Sequence, residues 1–108
     1  MKILNKRASQ KYQFLEKFEA GIMLNGAEIK SIRAGRLDLS ESFARIKDGE
    51  VYLINAFINP WMGSQKYSDS RRERKLLLHR KQILNLQGKM STGNFALVAI
   101  AVYIKGNL

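Results

Sequence analysis

The clearest pattern of apolar and polar positions runs from residue 42 to residue 58 and predicts a β-hairpin. Two strand-like segments, 42–46 and 51–58, flank a turn that contains Asp48-Gly49. Glycine tolerates the positive φ that a tight turn requires, so an Asp-Gly pair favours a hairpin. The second segment is apolar on both faces, which is typical of a central strand, and Pro60 ends it.

A short helix is predicted after Asn25, whose side-chain oxygen can accept a free amide of the first turn. Glu28, three residues later, can reach back and complete a capping box. Ile29 and Ile32 are three residues apart and are expected to anchor one face of the helix in the core. Gly35 suits the left-handed conformation that ends a helix.

Weaker patterns predict the elements on either side of this helix. Aromatic residues alternate with polar ones from residue 11 to residue 18, which predicts a strand with one buried face. Gly21 is expected to mark a bulge where that strand changes direction. Residues 61–71 form a predicted loop, in which Trp61 and Tyr67 are expected to cover an end of the fold.

The last third of the chain predicts two strands and a helix. Residues 72–78 alternate weakly and read as a short strand with a basic outer edge. Residues 79–87 read as a helix with Gly88 as its stop. Its predicted buried stripe consists of Ile83, Leu84 and Leu86. Residues 95–104 are apolar on both faces, so this strand is expected inside a sheet, unless it lies at an edge or the chain stops early.

Many short strands, two small helices and a tight hairpin predict a mainly β fold with short helices. The expected arrangement is a small antiparallel β-barrel of the oligonucleotide-binding (OB) type. With 108 residues the chain has the length of one domain. We expect a basic N-terminal arm at residues 1–10, followed by the OB-like barrel at residues 11–108.

The net charge of the chain indicates what kind of partner it binds. The chain has 19 Lys and Arg against 9 Asp and Glu, a formal net charge of +10. Such a field in a small domain indicates a polyanionic partner, first of all nucleic acid. A membrane surface is a weaker alternative, because no long basic amphipathic helix is evident. The longest run of apolar residues, 95–104, is too short to span a bilayer. The absence of cysteine fits a reducing, cytoplasmic location.

Catalytic and metal chemistry has little support in the sequence. His79 is the single histidine and there is no cysteine, so a His/Cys zinc site is excluded. Neither a nucleophile elbow nor a glycine-rich phosphate loop occurs. We therefore predict a protein that is not an enzyme and that needs no cofactor or metal.

The densest basic run, residues 71–75, suits contacts with RNA phosphates. An edge strand that resists aggregation would have the same pattern. Alternation places Leu77 opposite its two leucine neighbours, so it can face a base or sugar although leucine is by default a core residue. Glu19 can accept hydrogen bonds from a base edge, or it can form a cross-strand pair with Lys or Arg.

Three segments carry a family resemblance. The run GIMLNGAEIKSIRAG at 21–35, the motif RERKLLLH at 72–79 and the hairpin at 42–51 resemble small protein B (SmpB), the protein partner of transfer-messenger RNA in bacterial ribosome rescue. The resemblance extends from about residue 5 to residue 103. It implies an OB-like barrel with short helices.

The resemblance also implies a ligand, partners and contact positions. The ligand would be the tRNA-like domain of transfer-messenger RNA, delivered to stalled ribosomes in trans-translation. The implied partners are the small ribosomal subunit and, through the RNA, elongation factor Tu and alanyl-tRNA synthetase; we expect a monomer with no membrane partner. Family contact positions fall on Asn5, Glu19 and Leu77. With the neighbouring basic and polar positions, the predicted RNA-binding set is Asn5, Lys6, Arg7, Glu19, Lys30, Arg33, Arg72, Arg74, Lys75, Leu77 and His79.

Two departures from the family pattern stand out. Asp69 is followed by Ser70, where the family usually has proline. The family also continues past residue 107 into a further strand and a long basic tail, so we expect a C-terminally truncated form that keeps RNA binding and has lost or weakened the tagging step. Two other hypotheses stay open: a generic OB-type single-stranded RNA binder or ribosomal-protein-like module, and an interaction module without an RNA partner.

Overall fold

The computed structural model describes residues 2–11, 13, 16–60, 70–93 and 95–104. Its strands β1 to β8 span Lys2–Leu4, Gly21–Ile22, Leu37–Asp38, Phe43–Lys47, Glu50–Ile54, Phe57–Ile58, Arg74–Leu77 and Ala101–Tyr103. Its helices α1 to α3 span Lys6–Lys11, Gly26–Arg33 and Arg80–Met90. The predicted loop residues 61–69, with Trp61 and Tyr67, lie outside the described residues.

The strands form three antiparallel sheets. The largest has the order β2-β7-β5-β4, and the other two pair β1 with β8 and β3 with β6. The predicted mainly β class with short helices is confirmed. The described strands do not close into one barrel, however. After β5 the chain turns at Asn55, which has a φ of 65°, and β6 then pairs with β3 instead of continuing the large sheet.

The predicted hairpin is confirmed as β4 and β5. Phe43 pairs with Ile54 at its open end and Lys47 pairs with Glu50 beside the turn. Asp48 and Gly49 have φ values of 52° and 78°, as a type I′ turn requires. The hairpin therefore forms where the local sequence places it.

Helix α2 begins with the predicted capping box. The Glu28 amide donates to Asn25 Oδ1 at 2.8 Å, and the Asn25 amide donates to Glu28 Oε1 at 3.0 Å. Gly35 has a φ of 77° just past the helix end, as expected. The predicted apolar face is half wrong: Ile32 is buried, but Ile29 is 38% exposed. The buried side of the helix is formed by Glu28, Ser31 and Ile32 instead.

Helix α3 is longer than predicted. Ile83 and Leu86 are buried as expected, whereas Leu84 is 54% exposed, because one residue after Ile83 the helix has turned by about 100°. Gly88 lies inside the helix and does not stop it. The chain leaves the helix at Gly93, which has a φ of 76°.

The N-terminal residues carry regular structure where an arm was expected. Strand β1 pairs with β8, and α1 follows after Asn5. The predicted strand at 11–18 is wrong where it can be checked, since Lys11 ends α1 and residues 13 and 16–18 are not in a strand. Tyr12 and Phe14, on which that prediction depended, lie outside the described residues.

The core lies between the sheets. Leu39, Leu53 and Ala56 are buried, and partly buried side chains surround them: Ile22, Leu37, Leu76, Ala99 and Val102. Segment 95–104 contributes to this core without being a two-sided central strand. It meets β4 in a single bridge, between Ala44 and Leu97, before its end pairs with β1 as β8.

Candidate nucleic-acid interface

A buried carboxylate joins α2 to β7. The Glu28 side chain has no exposed surface; its Oε2 accepts from Arg74 Nε at 2.7 Å, and its Oε1 accepts from Arg72 Nη2 at 2.5 Å. Burial disfavours the charged carboxylate, but hydrogen bonds from Arg72, the Asn25 amide and Arg74 outweigh it and hold the Glu28 pKa below its usual value. Glu28 is therefore an ionised anchor beneath this surface.

Arg74, a predicted RNA contact, is also fully buried. Besides Glu28, its guanidinium donates to the carbonyl oxygens of Ala56 at 2.8 Å and Ser70 at 3.0 Å. Desolvation lowers the pKa of Arg74. A direct RNA contact by Arg74 is therefore not supported, because its side chain is not accessible.

Strand alternation, which predicted an outward Leu77, also predicts an inward Arg74, and sequence reasoning did not apply it there. Arg74 and Leu76 share the inner face of β7, where Leu76 packs against the core. Lys75 and Leu77 then share the outer face, and both remain available. A basic residue two positions from a core leucine lies on the same, buried face of the strand and needs a buried partner of opposite charge. Glu28 is that partner of Arg74.

Arg72 lies at the boundary of the buried cluster. Its side chain is 36% exposed, and both Nε and Nη2 donate to Glu28. A third hydrogen bond joins Arg72 Nη1 to the Glu73 carbonyl oxygen at 3.2 Å. The guanidinium is thus held in one orientation at the surface, with its remaining N–H groups free to meet an anion.

Asn5 is buried, at 5% exposure, and its side chain is committed to the fold. Its Nδ2 donates to the carbonyl oxygens of Leu39 at 3.1 Å and Ala99 at 2.8 Å, while Oδ1 accepts from the Ala8 amide at 3.2 Å. A direct RNA contact by this side chain is therefore not supported. Asn5 instead caps α1 and ties it to two distant segments.

Lys6 and Arg7 follow Asn5 and are exposed on α1. Arg7 Nη1 lies 2.9 Å from Glu41 Oε1, in an ion pair whose side chains are 60% and 57% exposed. Such an exposed pair contributes little to stability and can open for a phosphate. Both cations therefore remain candidates.

Leu77, the last residue of β7, is 51% exposed and lies directly opposite Gly21 on the edge strand β2. An ideal Cβ on Gly21 would lie 3.3 Å from Leu77 Cβ and Cδ1, so the close approach of the strands favours glycine. Gly21 and Ile22 keep a regular register with β7, and the predicted bulge at Gly21 is wrong. Glu19 is exposed two residues before Gly21.

The other predicted positions lie on separate elements. Lys75 Nζ lies 2.8 Å from Glu50 Oε2, and this hydrogen bond raises the Lys75 pKa. Lys30 and Arg33 are exposed on α2. His79 is exposed before α3, where its amide donates to Gln82 Oε1 at 3.0 Å.

The exposed cations suit phosphate binding. Within the described ranges, no group of three His, Cys, Asp or Glu side chains could hold a metal ion. The described part of the chain also contains no helix that is long and apolar enough to cross a membrane.

Comparisons with known proteins agree on one family. The family model described as "SmpB protein" matches residues 2–108. A relative named SsrA-binding protein in Trichormus variabilis is 48% identical over 103 residues, which cover 94% of this chain and 66% of the relative. Its namesake in Mycobacterium tuberculosis is 51% identical over 100 residues, covering 92% of this chain and 62% of the relative. The chain thus spans somewhat less than two thirds of the length of these curated relatives.

A solved structure shares the fold as well. It is described as "tmRNA-SmpB: a journey to the center of the bacterial ribosome", and one of its chains superposes with a TM-score of 0.78 at 46% sequence identity. The match covers 96% of this chain and 73% of that chain. Sequence and fold therefore point to the same group of proteins.

Proposed function

This chain belongs to the SmpB family, and we propose that it binds the tRNA-like domain of transfer-messenger RNA and helps to deliver that RNA to stalled ribosomes. The observation that carries the proposal is the likeness to proteins named SsrA-binding protein and to a chain of a tmRNA-SmpB structure at 46% identity. The net charge of +10 supports a polyanionic ligand. The protein would hold and present the RNA without making or breaking a bond.

We assign the RNA contact to the exposed and partly exposed members of the predicted set. These are Lys6, Arg7, Glu19, Lys30, Arg33, Arg72, Lys75, Leu77 and His79. The lysines and arginines would neutralise phosphates, and Leu77 would pack on a base or sugar. Asn5 and Arg74 would act indirectly, by fixing α1 and the Glu28 cluster beneath this surface.

The partners follow from the same proposal. A protein that carries this RNA to a stalled ribosome would meet the small ribosomal subunit directly. Elongation factor Tu and alanyl-tRNA synthetase would be reached through the RNA. We propose that the protein acts as a cytoplasmic monomer with one RNA-binding domain, of which β1 and α1 at the basic N-terminus are a part.

A matched pair of leucines tests the assignment. Leu77 on β7 and Leu84 on α3 are 51% and 54% exposed, so their truncation removes similar exposed surface. Affinity for the labelled tRNA-like domain is measured by fluorescence anisotropy. We expect Leu77→Ala to weaken binding by about 10-fold, as for loss of one base contact, and Leu84→Ala to leave it unchanged. Equal effects of the two variants would contradict the assignment.

Glu19→Ala tests whether the Glu19 carboxylate contacts the RNA. If the carboxylate accepts hydrogen bonds from a base edge, its removal weakens binding. If Glu19 contributes only a charge that repels phosphate, its removal strengthens binding, most visibly at low salt. The proposal predicts weaker binding, read out in the same anisotropy assay.

A further inference from the structure

The outer face of the four-stranded sheet combines aromatic and cationic side chains. The register places Arg45 opposite Tyr52 and Tyr52 opposite Lys75, on three adjacent strands. Alternate residues of a strand point to the same face of the sheet, so Phe43 and Lys47 lie on the same face as Arg45, and Leu77 lies on the same face as Lys75. We call this surface the outer sheet face, and define it by Phe43, Arg45, Lys47, Tyr52, Lys75 and Leu77.

Two cations on this face lie over aromatic rings. The Arg45 guanidinium carbon is 5.6 Å from the centroid of Phe43, and Lys47 Nζ is 5.9 Å from the centroid of Tyr52. These distances are within the range of cation–π contacts. Phe43 is nevertheless 38% exposed, so a large apolar ring on a sheet face remains accessible to solvent.

The charges of this face favour an anionic ligand. Lys75 pairs with Glu50 at 2.8 Å and Lys47 lies 3.5 Å from Glu73. Among the salt bridges of the described residues, none involves Arg45. Three cations against two carboxylates leave an excess positive charge, and Arg45, stacked on Phe43, carries it.

We infer, on the basis of the proposed function, that the outer sheet face binds unpaired bases of the RNA. A base stacks on the Arg45–Phe43 pair, since nucleobases stack on phenyl rings and on guanidinium planes alike. The lysine ammonium groups contact the adjoining phosphates. Duplex RNA would use the cations only, whereas an exposed ring beside an unpaired guanidinium fits a flat, apolar ligand with a negative backbone. If the face bound a peptide or a lipid instead, the protein would show no preference for RNA that carries bases.

The test compares RNA with and without bases. The probes are labelled hexauridylate and an abasic ribose-phosphate oligomer of the same length, which has the same phosphates. Binding to both is measured by anisotropy. We expect the protein to prefer hexauridylate by about 10-fold, the value of one stacked base. Phe43→Leu keeps an apolar side chain but removes the ring, and is expected to abolish this preference. Phe43→Tyr keeps the ring and is expected to retain it.

Three controls make the outcome decisive. Leu84→Ala, on α3 and outside this face, should retain the full preference. Thermal unfolding of each variant reports whether it folds. If Phe43→Leu does not fold, Arg45→Ala takes its place: it removes the guanidinium from an exposed position and should reduce the preference for hexauridylate as well. Equal affinity of the unmodified protein for the two probes, or an unchanged preference in folded Phe43→Leu or Arg45→Ala, would overturn the inference. The tRNA-like domain is not a probe in this assay, so failure of the proposed function would appear separately, as missing selectivity for that domain.

Discussion

Glu28 and Arg74 are 46 residues apart in the chain, and their side chains form an ion pair at 2.7 Å with no exposed surface on either. The pair joins the first turn of α2 to β7. A buried ion pair adds little net stability over apolar packing, but loss of one partner leaves an uncompensated buried charge. We infer that it fixes the position of α2 relative to the sheet and the orientation of Arg72.

Glu28→Gln is therefore expected to be strongly destabilising. It leaves two guanidinium groups without a counter-charge and should lower the free energy of unfolding by about 3–5 kcal/mol, measured by urea denaturation. Glu41→Gln is the matched control, since it breaks the exposed pair with Arg7 and should cost at most about 1 kcal/mol. A loss below that of the control would show that the buried pair does not anchor the helix.

The same cluster makes stability depend on pH. The pKa of Glu28 is lowered below its ordinary value of 4.5 in the folded protein. A carboxylate with a lowered pKa contributes stability above the pKa of the unfolded chain and loses it as pH falls through the folded pKa. The free energy of unfolding should thus decrease as pH falls below 4.5, and by less in Glu28→Gln. Parallel pH profiles of the two proteins would refute the assignment.

Asn5→Ala tests the structural role given to that residue. The change removes the cap of α1 and the Asn5 donor of the Ala99 carbonyl oxygen, whereas the Leu39 carbonyl oxygen still accepts from the Ser42 amide and hydroxyl. A loss of about 1–3 kcal/mol is expected in chemical denaturation. At a temperature where the variant is folded, its affinity for RNA should match that of the unmodified protein. Weakened RNA binding with unchanged stability would restore Asn5 as a direct contact.

Gly21→Ala tests the close approach of β2 and β7. The added Cβ would lie 3.3 Å from Leu77 Cβ, which moves only with its backbone, so the strands must separate slightly. We expect a destabilisation of about 1 kcal/mol. In a Leu77→Ala background the contact with Cδ1 is gone, and the cost should be smaller. Additive effects of the two changes would show that they act independently.

Local features of the fold could be predicted from the sequence. The Asp48-Gly49 turn and the box formed by Asn25 and Glu28 depend on residues within a few positions of each other. Predictions from an ambiguous hydrophobic period were less reliable. Leu84 was wrongly placed in the buried stripe of its helix, because an error of one residue moves a side chain to another face of the helix.

The long-range contacts could not be predicted in the same way. Asn5 bonds to the Ala99 carbonyl across 94 residues, and Glu28 bonds to Arg74 across 46. No local pattern encodes such pairs. Sequence reasoning therefore assigned both Asn5 and Arg74 to the surface, and treated Glu28 only as a cap. Alternation within β7 did identify Leu77 as an outward residue, and the structure leaves it exposed.

Specific recognition of the RNA is tested most directly by the selectivity of the protein for a folded tRNA-like domain over poly-U, at low and at high salt. An affinity that depends on phosphate contacts alone falls as the salt concentration rises, whatever the sequence of the RNA. On duplexes, the slope of log affinity against log salt concentration is about −0.9 per contact. We predict a preference for the tRNA-like domain that persists at high salt. Equal affinity for the two RNAs, with the same salt dependence, would contradict specific recognition and indicate a generic RNA-binding module.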